Sequence, residues 1–193
     1  MAQIERDEDL MLRVRQGAEE GLGVLFDRYQ HPLFNFYSKL TGNRTVSEDL
    51  VQEVFLRVLK YRQSYQPEAP FRAWIYQIAR NVRVDHLRKN PVQAEWKPEM
   101  SPSFVPKDGA QKSQESLLLH QALMRLPEDK REILVLSRLQ EMKYEEIARL
   151  LGCELGTVKV RVHRALQSLK TAYQELLAER SGRAPNAAEA GTT

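Results

Sequence analysis

Tyr144-Glu-Glu-Ile-Ala-Arg-Leu-Leu151, Gly152-Cys-Glu154 and Thr157-Val-Lys-Val-Arg-Val-His-Arg-Ala-Leu166 decide how this chain is read. The first stretch places apolar residues at helical spacing. The second is a short break at a glycine, and the third returns to a helical period. Two helices joined by a Gly-containing turn form a helix-turn-helix, whose second helix enters the major groove of DNA. Residues 155–174 contain no Asp or Glu and carry Lys159, Arg161, Arg164 and Lys170. Such a bias suits a helix that meets duplex, because most of that affinity comes from neutralised phosphates.

Projected at about 100° per residue, the last helix groups Val158, Val162, Ala165, Leu166 and Leu169 on a core side. Thr157, Val160, Arg161, Arg164, Gln167 and Ser168 fall opposite. An outward Val160 suits a thymine methyl, and Arg161 or Arg164 can reach guanine or phosphate. Lys159, at the edge, suits phosphate. The plainer account of Val160 is a tolerated surface valine. Cys153 reads as a small apolar residue of the turn, and His163 as facing solvent or phosphate.

Working outward, the 193 residues fit one or two small domains. A net charge of +3 makes any basic patch local, and 42% hydrophobic residues suffice for compact cores. One cysteine excludes an internal disulfide, and the four histidines form no ligand pair, so no metal site or cofactor is expected. The first residues are polar and acidic, unlike a targeting segment. No apolar run reaches membrane-spanning length, so no membrane insertion is expected. These features together predict a soluble cytoplasmic protein.

Nearly every segment has a helical pattern. Asp7 is expected to cap a first helix. A second runs over residues 18–40 with a kink or restart at Pro32, weakened at Gly21 and Gly23, and stops at Gly42-Asn43. Thr45-Val-Ser-Glu48 has the form of a capping box, opening a helix to about Tyr61. Residues 63–70 read as a polar loop, and Phe71 opens a helix to about Arg88. Residues 90–114 hold four prolines and Gly109 and read as a linker. Fully extended it spans about 80 Å, enough for the roughly 70 Å of two turns of duplex, whereas a relaxed coil covers roughly 30 Å. Helix resumes at 115–125. Pro127, with Glu128 and Asp129, starts a helix carrying Ile133, Leu134, Leu136 and Leu139. The tail from Ser181 has the composition of a disordered segment.

The fold class expected is therefore all-α, with two small helical domains joined by a Pro-rich linker. The boundaries expected are 7–90, linker 91–114, 115–179 and tail 180–193.

Two helices of the first half carry more than a core face. On the helix opened by Phe71, the residues Phe71, Trp74, Ile75, Ile78 and Val82 form the buried stripe. Tyr76, Arg80 and Arg83 lie along the other side, flanked by Gln77, Asn81 and Arg88. Aromatic and basic groups sharing a face can stack unpaired bases and follow a strand's backbone. An ordinary solvated helix face, with Tyr76 partly packed, has the same pattern. On the helix before it, Leu50, Val51, Val54, Phe55 and Val58 fill a core stripe, and Leu56 then projects among Asp49, Gln52, Glu53 and Lys60. That surface suits docking of another protein. Alternatively, neighbouring helices cover Leu56, and the acids only favour the helix N-terminus.

Taken together these residues resemble the bacterial sigma-70 family of RNA polymerase sigma factors, of the extracytoplasmic-function (ECF) type, over residues 7–179. Asp49-Leu-Val-Gln-Glu-Val-Phe55 is similar to the family's core-polymerase-binding helix. Phe71-x-x-Trp-x-Tyr-x-Ile-Ala-x-Asn81-x-x-x-Asp85-x-x-Arg88 resembles the helix that melts and reads the promoter −10 element. Residues 126–169 resemble the −35-binding domain. The resemblance implies that Asp49, Gln52, Glu53 and Leu56 meet the clamp helices of the polymerase β′ subunit. It implies that Tyr76, Arg80, Asn81 and Arg83 hold the non-template strand, and that the loop from Tyr61 to Phe71 captures a flipped base. Thr157, Lys159, Val160, Arg161 and Arg164 would read the −35 element. Further partners implied are the β flap, promoter DNA and an anti-sigma factor, with no catalytic chemistry.

Three positions depart from the family's pattern. Lys143 and Glu154 stand where Ser or Thr often caps a helix, and a poorer cap costs roughly 0.5–2 kcal/mol. Val160 stands where Ser is common, which bears on the −35 sequence preferred. A dimeric repressor or activator acting through its helix-turn-helix is the chief rival reading. The acidic-and-leucine surface and the basic aromatic helix argue against it. An adaptor that never touches DNA leaves the acid-free window unexplained, and an enzyme would need a nucleophile, phosphate loop or metal cluster that the sequence lacks.

Overall fold

A computed structural model of the chain describes residues 5–90 and 110–181. Among these residues every regular element is helical, as the patterning predicts. The first unit comprises α1 (Asp7–Arg15), α2 (Glu20–Thr41), α3 (Arg44–Tyr61) and α4 (Phe71–Lys89). The second comprises α5 (Ala110–Met124), α6 (Glu128–Leu134), α7 (Tyr144–Leu151) and α8 (Leu155–Arg180).

In the first unit α2 packs on α1 and α3, and α3 packs on α4. Asp7 does not cap α1. Its carboxylate accepts instead from Arg28 at 2.5 Å and from the Tyr29 hydroxyl at 2.6 Å, pinning α1 to α2. Gly21 is required where the two helices cross, because a Cβ there would lie 2.9 Å from the Leu10 carbonyl oxygen. α2 runs through Pro32 without a break. It ends on Gly42, which takes the left-handed conformation at φ 66°. The capping box expected at Thr45 is displaced, and Asn43 is the cap, its side chain accepting from the Val46 amide at 3.0 Å. Asn is among the best N-cap residues, so the earlier start wins. Thr45 then lies inside α3, and Glu48 pairs with Arg44.

The expected apolar stripe of α3 is buried throughout. Each such side chain contributes about 1.5–3 kcal/mol when fully withdrawn from water. The segment between α3 and α4 is more than a polar loop. Tyr65 is wholly buried, its ring against Phe71 and Trp74 and its hydroxyl bonded to the Ala69 carbonyl. Burial raises its phenol to about 12.

The second unit begins earlier than expected, since α5 starts at Ala110, inside the segment read as linker. The rest of that linker and the tail beyond Ser181 lie outside the described residues. Pro127 is the residue before α6, with Glu128 and Asp129 in the first turn. The helix expected to run on to Leu139 instead widens into a π turn at Val135–Leu139. Ser137, buried there, bonds back to the Ile133 carbonyl at 2.7 Å. The extra residue per turn rotates Leu139 off the core face, leaving it half exposed, and carries Gln140 inward.

α7 and α8 form the helix-turn-helix. Gly152 at φ 62° reverses the chain, and the Cys153 amide closes the turn on the Ala148 carbonyl at 3.0 Å. Cys153 packs partly against the core. Lys143 offers no side-chain acceptor, and Glu146 compensates by accepting from the Lys143 amide at 3.0 Å. Glu154 makes no side-chain cap.

The two units are in direct contact. α2 lies against α5, α6 and the π turn, and α4 lies against α7.

Candidate polymerase and nucleic-acid interfaces

On α3, Asp49 and Gln52 are exposed and Leu56 is 62% exposed, while Glu53 is half-buried. Among the described residues no neighbouring helix covers this ridge. Glu53 is held by Arg57 one turn on, at 2.8 Å. A large apolar side chain left bare among acids has the form of a docking surface.

On α8, Val158, Val162 and Ala165 are buried, and Leu166 and Leu169 pack against the core, as projected. Lys159, Val160, Arg161 and Arg164 are exposed, Val160 at 48%, and Thr157 is partly so. Among the described residues no carboxylate pairs with Lys159, Arg161 or Arg164. Three cations and a valine therefore share an uncompensated face.

α4 differs from its sequence pattern. Phe71, Ile75, Ile78 and Val82 form the core stripe, with Trp74 partly buried beside them. Tyr76 is 1% exposed and Arg83 6% exposed, although both project away from that stripe. The second unit covers them. The Tyr76 ring meets Phe36 edge-on at 5.4 Å, its hydroxyl bonds the Gln140 side chain, and burial raises its phenol well above the usual value. Arg80 pairs with Glu132 at 2.8 Å and donates to the Leu150 carbonyl at 3.0 Å. Arg83 pairs with Glu128 at 2.7 Å. Arg72 donates to the Gln140 carbonyl. Of the four residues expected to hold a strand, only Asn81 is exposed.

Asn81 looks onto a pocket of about 440 Å³ between α3 and α4, lined also by Arg57, Tyr61, Ile78, Val84, Asp85 and Arg88. Tyr61 and Val84 are largely exposed at its walls. Two of the lining residues are paired: Arg57 bonds Asp85 at 2.7 Å and holds that carboxyl below its usual range. Among the described residues no cluster of His, Cys, Asp or Glu could hold a metal, and no helix is long and apolar enough to cross a membrane.

Two family patterns match the chain: "Sigma-70 region 2" over residues 25–91 and "Sigma-70, region 4" over residues 116–169. The RNA polymerase sigma factor CarQ of Myxococcus xanthus is 33% identical over 169 residues, covering 86% of this chain and 97% of that one. The ECF RNA polymerase sigma-E factor of Escherichia coli K12 is 30% identical over 185 residues, covering 89% and 96%.

The chain belongs to the sigma-70 family, ECF type.

Among solved structures, the sigma factor RpoE in complex with the anti-sigma factor NepR from Bartonella quintana superposes with a TM-score of 0.63 at 26% identity. That match covers 80% of this chain and 95% of that one. As a sigma factor, the protein is a transcription initiation factor that binds core RNA polymerase and directs promoter recognition and transcription initiation. Region 2 of this sigma factor thus contains the α3 ridge and α4, and region 4 contains the helix-turn-helix.

Periodicity did not reveal Gln140, Glu128 and Glu132, the residues that join region 4 to α4. Their partners lie 45 to 64 positions away, and nothing local in the sequence signals them.

Proposed function

We propose that this sigma factor divides promoter recognition among three surfaces. The α3 ridge of Asp49, Gln52, Glu53 and Leu56 docks on the β′ clamp helices. The α8 face of Thr157, Lys159, Val160, Arg161 and Arg164 reads the −35 element as duplex. The α4 face of Tyr76, Arg80, Asn81 and Arg83 holds the separated non-template strand, and the loop from Tyr61 to Phe71, whose Tyr61 also lines the neighbouring pocket, captures a flipped base. Extrusion of a base costs a few kcal/mol and is cheapest in A·T-rich or already unpaired DNA.

The observation carrying this reading is the presence on one short chain of an uncovered leucine ridge and an uncompensated cationic recognition face. Each face alone offers few phosphate contacts. Docking on a larger enzyme raises their effective concentration toward one another, so promoter affinity belongs to the complex. The first domain is taken as residues 7–90 and the tail as 180–193, and the second domain as 110–179 rather than 115–179, because α5 opens at Ala110. The protein acts in the cytoplasm, contributes no catalytic group of its own, and contacts the β flap through region 4. An anti-sigma partner fits the relative from Bartonella quintana, whose structure holds one.

Run-off transcription with purified core polymerase and genomic fragments tests this reading. Promoter-dependent transcripts that require the protein are expected. No such transcript, together with tight binding to a palindrome in the absence of polymerase, would mean that it is a dimeric repressor.

A further inference from the structure

α1 takes no part in the three surfaces above, yet both of its ends are tied to the segment that joins α3 to α4. Pro70 brings no side-chain cap to α4. Glu8, in the first turn of α1, supplies the acceptor instead, its Oε1 taking the Phe71 amide at 3.1 Å across 63 positions of sequence. A carboxylate suits that place, because a helix N-terminus presents unsatisfied N–H groups and partial positive charge. At the other end of α1 the Arg15 guanidinium donates to the Tyr65 carbonyl at 3.3 Å. Gln63 donates in return to the Arg15 carbonyl at 2.9 Å.

These bonds reach a loop that is mostly surface. It holds one 3-10 turn, Arg62–Ser64, while Gln63, Ser64, Gln66, Glu68 and Pro70 are exposed. Tyr65 is its buried anchor. Phe71 and Trp74 hold the Tyr65 ring, and Arg15 holds the carbonyl of the same residue, so the backbone there is oriented from α1. α2 keeps α1 in place through Asp7, and Tyr29 of α2 meets the Phe71 ring edge-on at 5.2 Å. A receptor for an extruded base binds best when it is already shaped, since ordering it on arrival subtracts from affinity.

We infer that α1 sets the shape of the base-capturing loop, and that Glu8 and Arg15 are positioning residues for promoter opening. Neither touches DNA. They act through Phe71, Gln63 and Tyr65, and their loss leaves the α3 ridge and the α8 face as they are. The inference rests on the reading of the segment from Tyr61 to Phe71 as the loop that takes a flipped base.

The test uses holoenzyme assembled from core polymerase and the full chain. Its promoter duplexes carry one abasic site at each non-template position of the −10 element in turn. Open complexes are read by permanganate reactivity of unpaired thymines. With wild type, an abasic site at the captured position should lower their yield. On the intact promoter Glu8→Ala should lower it roughly fivefold, the fold-change expected for losing one helix cap, and Arg15→Ala should act in the same direction. On the template lacking the captured base, wild type and both variants should give equal yields, because the loop then has nothing to receive. Glu8→Gln keeps the acceptor oxygen and should restore most of the yield, and copurification with core polymerase should be unchanged throughout. A Glu8→Ala defect of the same size on intact and abasic templates means a general loss of stability and overturns the inference. A Glu8→Gln variant as impaired as Glu8→Ala also overturns it. If no abasic position affects wild type, the inference falls with the reading of the loop, and the fault lies there rather than with α1.

Discussion

Arg57 of α3 donates to Asp85 of α4 at 2.7 Å while reaching back to Glu53 at 2.8 Å. One guanidinium thus joins the helix that bears the docking ridge to the helix proposed to hold the strand. Glu53 lies on the ridge itself, so charged, directional bonds link the ridge to α4 in addition to the apolar core.

Asp85→Ala should uncouple the two helices without exposing the core. Asp85 is solvent-facing, and the Arg57 hydrogen bond holds its carboxyl below the usual value of 3.8. Its stabilising contribution is present above that value and is lost as pH falls below it. The variant should therefore melt only slightly lower at neutral pH, keep its affinity for core polymerase, and form fewer open complexes. Permanganate footprinting of unpaired thymines checks this. Unchanged reactivity at the −10 element would mean that the bridge transmits nothing.

Leu56→Arg is the sharpest test of the ridge. With 62% of its surface exposed, Leu56 contributes little to the fold, and the change should alter stability by no more than about 0.5 kcal/mol. An interface anchor typically costs about 2 kcal/mol or more when lost, so core binding should fall at least tenfold. Circular dichroism and copurification with core polymerase report the two effects separately. A variant that still copurifies normally removes Leu56 from the docking site.

Much of this was legible in the sequence, for physical reasons that can be named. The stripe Leu50-Val51-Val54-Phe55-Val58 is buried because helical periodicity is local and α3 obeys it. Leu56 stood out because the same periodicity left it over, and the structure shows it uncovered. The outward face of α8 was readable in the same way. Tyr76 was not, because its burial depends on Gln140, whose inward turn depends on a π turn that no period predicts. Arg80 and Arg83 look like solvated cations in sequence, and only packing of the two units shows them paired. Local errors had local causes. Asn43 won the cap from Thr45 by two residues, and Asp7 was claimed by Arg28 and Tyr29 from α2.

Arg164→Ala should weaken −35 duplex binding and spare association with core. Arg164 is exposed, unpaired by any carboxylate among the described residues, and on the same face as Val160 and Arg161. A guanidinium on guanine or phosphate is worth roughly 1–3 kcal/mol, so affinity should drop about tenfold. A base contact would also relax sequence preference at one position, whereas a phosphate contact would lower the salt slope by about one. DNase protection of the −35 element by the holoenzyme separates these outcomes. Unchanged protection would exclude Arg164 from the interface.

His120 should make the closed molecule sensitive to mild acid. It lies on α5 where that helix meets α2. Burial pushes its imidazole down to about 4, and the nearby charges of Lys39 and Arg131 push the same way. Among the described residues its Nδ1 is buried without a hydrogen-bond partner. An unfolded chain would protonate this histidine near 6.5, so between about 6.5 and 4 the unfolded state binds more protons than the native one. Stability is then full above 6.5 and erodes as pH falls toward 4, by roughly 1–2 kcal/mol after allowance for partial solvent access. Urea melts at pH 7.5 and pH 5 should show that loss, and His120→Gln, which cannot charge, should reduce the difference between them. If wild type and variant lose stability equally over this interval, the acid sensitivity belongs to the carboxylates and not to the α2–α5 contact.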